Sequence, residues 1–147
     1  MPISFVPHPG TVLICDFRGL RSPEMTKIRP VVVLSKRART SFPGTYIVVP
    51  ISTTPPSPPE GFHCEFKPRS YVFFDQAQAV WVKADMITCV AAERLDRVKI
   101  SGRYSDARIR ANDLTRIRRS VLCALGMEDW GPVEKPAETL PPAKASS

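Results

Sequence analysis

Two short and almost uninterrupted apolar runs constrain this chain more than anything else in it: Pro30-Val31-Val32-Val33-Leu34-Ser35 and Tyr46-Ile47-Val48-Val49-Pro50-Ile51. The first is too short for a buried helix. β-Branched side chains are stiff at χ1 and pack well on a pleated surface, so the run predicts a strand buried on both faces, with Pro30 at its first residue where a missing N–H is tolerated. Residues 36–45 between the runs hold Pro43-Gly44 and three basic side chains, which predicts an antiparallel hairpin. Its register carries a consequence. If Leu34 pairs with Ile47, counting outward places Arg29 opposite Ser52.

Other strands are expected around this hairpin. Residues 11–17 form one, entered through Pro9-Gly10 and left through Arg18-Gly19-Leu20. Residues 62–66, 71–81 and 87–90 cluster aromatic and aliphatic side chains and predict three more, and residues 98–104 predict another, with Gly102 marking a bulge or tight bend. The single helix is expected over residues 113–125, where Leu114, Ile117, Val121 and Leu125 recur at three- and four-residue steps. Asn112 is its expected N-cap and Gly126 its stop. The fold class is therefore mainly β: a strongly bent sheet, closed or nearly closed into a small barrel, with a C-terminal α-helix. Residues 1–130 make one domain, and residues 131–147, rich in proline and alanine, have the composition of a disordered tail.

Composition narrows the function. With 147 residues there is room for one core and no second catalytic domain. The net charge of +7 favours a polyanionic partner, because clustered cations gain affinity by releasing counterions from phosphates. Cys15, Cys64, Cys89 and Cys123 show no metal-ligand spacing and read as reduced, buried thiols. No basic leader and no bilayer-length apolar stretch is present, so a cytoplasmic protein with no membrane contact is expected.

Read in order, the chain shows Gly10, a strand ending in Asp16-Phe17, then Glu24, Lys27, Arg29-Pro30-Val31-Val32-Val33-Leu34-Ser35 and Val49-Pro50-Ile51-Ser52-Thr53. Farther on come Asp85-Met86-Ile87-Thr88-Cys89-Val90 and Arg94-Leu95. This series, over about residues 9–126, resembles the MazF/PemK family of type II toxin–antitoxin toxins. The resemblance implies an SH3-like barrel and a homodimer with single-stranded RNA across its interface. It also implies a cognate antitoxin in the same groove. No cofactor or metal is expected, because no His, Cys or carboxylate cluster with ligand spacing is present. The chain has Ser52 where the family usually has Thr, which keeps a hydroxyl, and Met86 where it usually has Gln, which loses a hydrogen-bonding side chain. Residues 55–82 are longer and richer in proline and aromatics than the family leads one to expect.

RNA carries its own nucleophile, the 2′-hydroxyl, so cleavage needs alignment, proton transfer and stabilisation of charge on phosphorus. Arg29 is the candidate for the last task, since a guanidinium matches phosphate oxygens bidentately. Ser52 is a second donor to that phosphate. Glu24, the only acidic residue between Asp16 and Glu60, would orient Arg29 or act as base. Lys27, Lys36, Thr53 and Arg18 are the expected RNA contacts. Tyr46, Phe62, Phe74 and Trp81 read as core more than as base-stacking surfaces, and His8 and His63 as surface residues, with His63 an alternative acid. The expected activity is a metal-independent, sequence-selective endoribonuclease. Its rivals are a non-catalytic barrel of the gyrase-poison type and an inactive RNA-binding module.

Overall fold

The computed structural model describes residues 2–36, 44–58 and 60–127. The expected tail therefore lies outside the described residues, as does most of the loop joining the two apolar runs.

The first apolar run becomes β2 (Ile28–Val33) and the second β3 (Thr45–Ser52), preceded by β1 (Val12–Asp16). All three are antiparallel neighbours in the order β3-β2-β1. Val31 pairs with Pro50, Val32 with Val49 and Val33 with Val48, and the Leu34 N–H donates to the Ile47 carbonyl at 2.8 Å, so the hairpin takes the register expected from the sequence. The ladder stops at Val31 and Pro50. Pro30 and Pro50, neither with an N–H to donate, stand where it ends.

β3 is shared between neighbours. On one edge it meets β2; on the other its first half pairs with β6 (Thr88–Ala91) and its last two residues pair with β5 (Val80–Lys83). A one-turn 3-10 helix, Ala84–Met86, makes the corner between β5 and β6. β4 (His63–Phe66) extends the sheet beyond β5, and β7 (Leu95–Ile100) and β8 (Arg103–Ser105) extend it beyond β1. The result is a bent, mainly antiparallel sheet that is barrel-like without closing. Residues 98–104 are not one bent strand but the turn region of the β7–β8 hairpin: Ser101 (φ 52°) and Gly102 (φ 78°) both take positive φ, the requirement of a two-residue turn that follows the twist of the strands.

Alternation along the central strands explains why they read as continuous apolar runs. Leu13, Cys15, Val31, Val33, Tyr46 and Val48 face one core, together with Ile3, Phe17 and Leu95. Val12, Val32, Val49 and Ile51 face a second core, under the helix and the aromatic residues 66–74. Both faces are covered, so neither needs polar positions.

Two further expectations need correction. Of residues 71–81 only Val80 and Trp81 are in a strand. The stretch before them is held as turns by its own side chains: Asp75 Oδ1 accepts the N–H groups of Ala77 and Gln78, and Gln76 Nε2 donates to the carbonyls of Tyr71 and Phe74. The helix α1 spans Ala111–Ala124, with Arg110 rather than Asn112 at the N-cap position. The Arg110 N–H donates to the Tyr71 hydroxyl, which in turn donates to Asp113, while the Asn112 side chain accepts the Asp113 N–H, so a tertiary contact joins a local one. Leu114, Ile117 and Val121 are buried as expected, but Leu125, at the C-cap, is exposed. Gly126 ends the helix at φ 74°.

Candidate active site

The three proposed catalytic residues come from three segments: Glu24 from the β1–β2 connection, Arg29 from the start of β2, Ser52 from the end of β3. Arg29 is paired with Cys15 of β1, and Ser52 with Trp81 of β5. The β2–β3 register, continued two residues past Val31 and Pro50, sets Arg29 opposite Ser52.

Arg29 is half-buried, and its Nε is enclosed with no hydrogen-bond partner among the protein atoms described. Enclosed polar groups of this kind are uncommon, because leaving a buried donor unmatched costs about 1–3 kcal/mol. Ser52 is only 4% exposed, and its Oγ accepts the Thr54 N–H at 3.1 Å. That contact orients the hydroxyl and leaves its proton free to be donated. Thr53, between them, is partly exposed.

Glu24 does not pair with Arg29. Its Oε1 accepts the Arg21 N–H at 2.7 Å and its own N–H donates to the Arg21 carbonyl, closing a turn. It lines a cleft of about 500 Å³ together with Phe17, Leu20, Asp85, Met86, Ile87 and Thr88. Met86, the departure from the family pattern, thus shares this cleft with Glu24. The thioether puts a soft apolar surface where the family's usual residue would offer an amide.

The expected RNA contacts divide. Lys27 is exposed between Glu24 and Arg29. Arg18 is exposed but committed: its Nε and Nη2 donate to the two oxygens of Asp16 at 2.9 and 2.8 Å. The same guanidinium, with the Arg18 backbone N–H, holds the Asp16 carboxyl down at about 2. Lys36 lies past the opposite end of β2 from Arg29 and does not gather with the others. Tyr46 and Phe74 are buried core residues, while Phe62 and Trp81 are half-buried. Of the four free cysteines Cys15 and Cys64 are buried, but Cys89 is exposed on β6.

Arg94, Asp85 and His63 contribute in ways not expected from the sequence. Arg94 Nη1 donates to the carbonyls of Asp16 and Arg18 at 2.7 and 3.2 Å, tying the β1–β2 connection to the start of β7. Asp85 lines the cleft and stands 3.9 Å from His63 Nε2. His63 is not a plain surface residue: its ring is nearly enclosed, and Nδ1 accepts the Glu60 N–H at 2.9 Å. The Asp85-Met86-Ile87 and Arg94-Leu95 motifs were the available signals. They mark the residues without saying what they touch.

Known proteins share this fold. The chain is 32% identical to the protein YifN of Escherichia coli (strain K12) over 143 residues, covering 83% of this chain and 93% of that one. The fold is shared with crystalline MazF (Form-I) of Deinococcus radiodurans, with a TM-score of 0.63, 21% identity, and coverage of 84% of this chain and all of that one. It is shared equally with an endoribonuclease solved in complex with its cognate antitoxin from a mycobacterial species, with a TM-score of 0.57, 20% identity, and coverage of 82% and 96%. The family model of PemK-like, MazF-like toxins of type II toxin–antitoxin systems matches residues 8–121. With that match spanning most of the chain and the strands in their expected register, this protein belongs to the PemK-like, MazF-like toxin family.

Proposed function

We propose that the chain is an endoribonuclease toxin that cleaves single-stranded RNA without a metal, acts as a homodimer and is neutralised by a cognate antitoxin. The observation that carries the reading is Arg29: an enclosed guanidinium edge with an unmatched donor, in register with a buried serine whose hydroxyl proton is free. A phosphate placed between them would satisfy both. The mycobacterial protein of the same fold, described as an endoribonuclease and solved with its antitoxin, agrees with it.

In this mechanism the RNA 2′-oxygen attacks the adjacent phosphorus as its proton passes to Glu24, through the carboxylate oxygen that the Arg21 N–H leaves unbound. The Arg29 fork and the Ser52 hydroxyl stabilise the added charge on the phosphoryl oxygens. The bond to the 5′-oxygen then breaks, and that oxygen takes a proton from water. The products are a 2′,3′-cyclic phosphate and a 5′-hydroxyl. Lys27 and Thr53 position the strand through its phosphates.

The test is to incubate the purified chain with a mixed single-stranded RNA pool in EDTA and sequence the ends. Defined cuts with 5′-hydroxyl ends are expected. Cleavage that needs added Mg²⁺ would remove the 2′-hydroxyl mechanism, and binding without any cleavage would leave a binding module in its place.

A further inference from the structure

We infer that the β7–β8 hairpin is a second contact surface for single-stranded RNA, distinct from the Arg29 and Ser52 region, with Tyr104 as a stacking platform and Arg97 and Lys99 as phosphate contacts.

The observation is an exposed aromatic residue beside exposed cations. The Tyr104 ring is 38% exposed on the edge strand β8. The Arg97 guanidinium lies 4.6 Å from its centroid and the Lys99 ammonium 5.0 Å, brought there because Lys99 is the cross-strand partner of Tyr104 and Arg97 is the next residue on that face. Neither cation forms a salt bridge among the described residues, and Arg103 and Arg108 are exposed nearby. From residue 96 to residue 110 the chain carries five Lys and Arg residues against two acids, Asp96 and Asp106. Charge alone would protect a sheet edge from pairing with another strand. A half-exposed aromatic ring is not needed for that. Among cations it adds the sequence-tolerant π surface that single-stranded nucleic acid uses together with a phosphate-binding stripe.

Single-stranded nucleic acid leaves its bases free to stack on such a ring, whereas the bases of a duplex are already stacked.

The inference rests on the reading above that the ligand is RNA, and the probe separates the two. A fluorescein-labelled 2′-O-methyl oligouridine of sixteen nucleotides cannot be cut, so its binding is read whether or not the protein is a nuclease. With the full chain, Tyr104→Ala is expected to weaken binding roughly fivefold or more, while Tyr104→Phe binds like the wild type. Arg97→Gln with Lys99→Gln is expected to lower the slope of log affinity against log salt by about 1.4, two single-strand phosphate contacts. Both losses should be larger for the sixteen-mer than for a four-mer. Thermal melts establish that each variant is folded, and Tyr104→Leu substitutes for the alanine variant if that one is not. Wild-type affinity and salt slope in folded hairpin variants would overturn the inference, as would equal losses on long and short probes.

Discussion

The two cores of this protein are held in different ways. The face lined by Leu13, Cys15, Val31, Val33 and Val48 is dry and largely aliphatic; Phe17, Tyr46 and Leu95 complete it, the Tyr46 hydroxyl enclosed with no partner among the described residues. The face under the helix is closed by polar pins between distant segments. The Tyr71 hydroxyl donates to Asp113 Oδ2 at 2.5 Å and accepts the Arg110 N–H at 2.9 Å, and Arg110 lies over the Tyr71 ring at 4.1 Å. Arg116 covers Phe66 at 4.7 Å while donating to the Glu65 carbonyl and to Asp113. Apolar burial is enough to seat one strand on the next. Fixing a helix against an irregular, proline-rich segment takes directional contacts as well, because turns present little flat surface to pack.

The largest effects should come from the aliphatic part of either face. Ile117→Ala under the helix and Leu13→Ala on the other face each empty a fully enclosed site and should each cost about 2–5 kcal/mol in denaturant titrations. A cost below 1 kcal/mol on the helix side alone would mean that the pins, not burial, hold that face. Next comes Tyr71→Phe. It keeps the ring but leaves Asp113 and the Arg110 N–H without their shared hydroxyl, and should cost about 1–3 kcal/mol. A neutral result would remove the distinction drawn between the two faces.

The smallest effect is an alkaline one on the dry face. Burial pushes the Cys15 thiol up from 9.0 to about 12. The folded value lies above the unfolded one, so the stability it contributes is complete below pH 9 and is lost as pH rises toward 12. The fall in melting temperature between pH 8 and pH 10 should be shallower in Cys15→Ala than in the wild type. Equal falls would show that the thiol is not the group responsible.

The same contrast decides what could be read from the sequence. The valine runs, the hairpin register and the helix stripe were legible because each depends on neighbours along the chain or on one short loop. The capping of α1 was not: Asn112 is the obvious local cap, and Tyr71, some forty residues away, takes over the Arg110 N–H. Residues 71–79 looked like a strand because their aromatics cluster, yet Asp75 and Gln76 hold them as turns. At the candidate site the residue types were legible and their commitments were not. Arg18 is tied to Asp16, Glu24 to Arg21 and the β1–β2 connection to Arg94, and each of these contacts is made by a side chain whose direction no periodicity reports.

The central claim is that Arg29 acts through its fork and not merely through its charge, and Arg29→Lys tests it most directly. Lysine keeps the positive charge but cannot grip a phosphate bidentately. With folding verified by thermal melt, single-turnover cleavage of a single-stranded RNA in EDTA should fall on the order of a hundredfold or more, the loss typical of removing one donor from a preorganised site. Affinity for an uncleavable 2′-O-methyl strand should change little. Cleavage by Arg29→Lys at the wild-type rate would contradict the catalytic assignment.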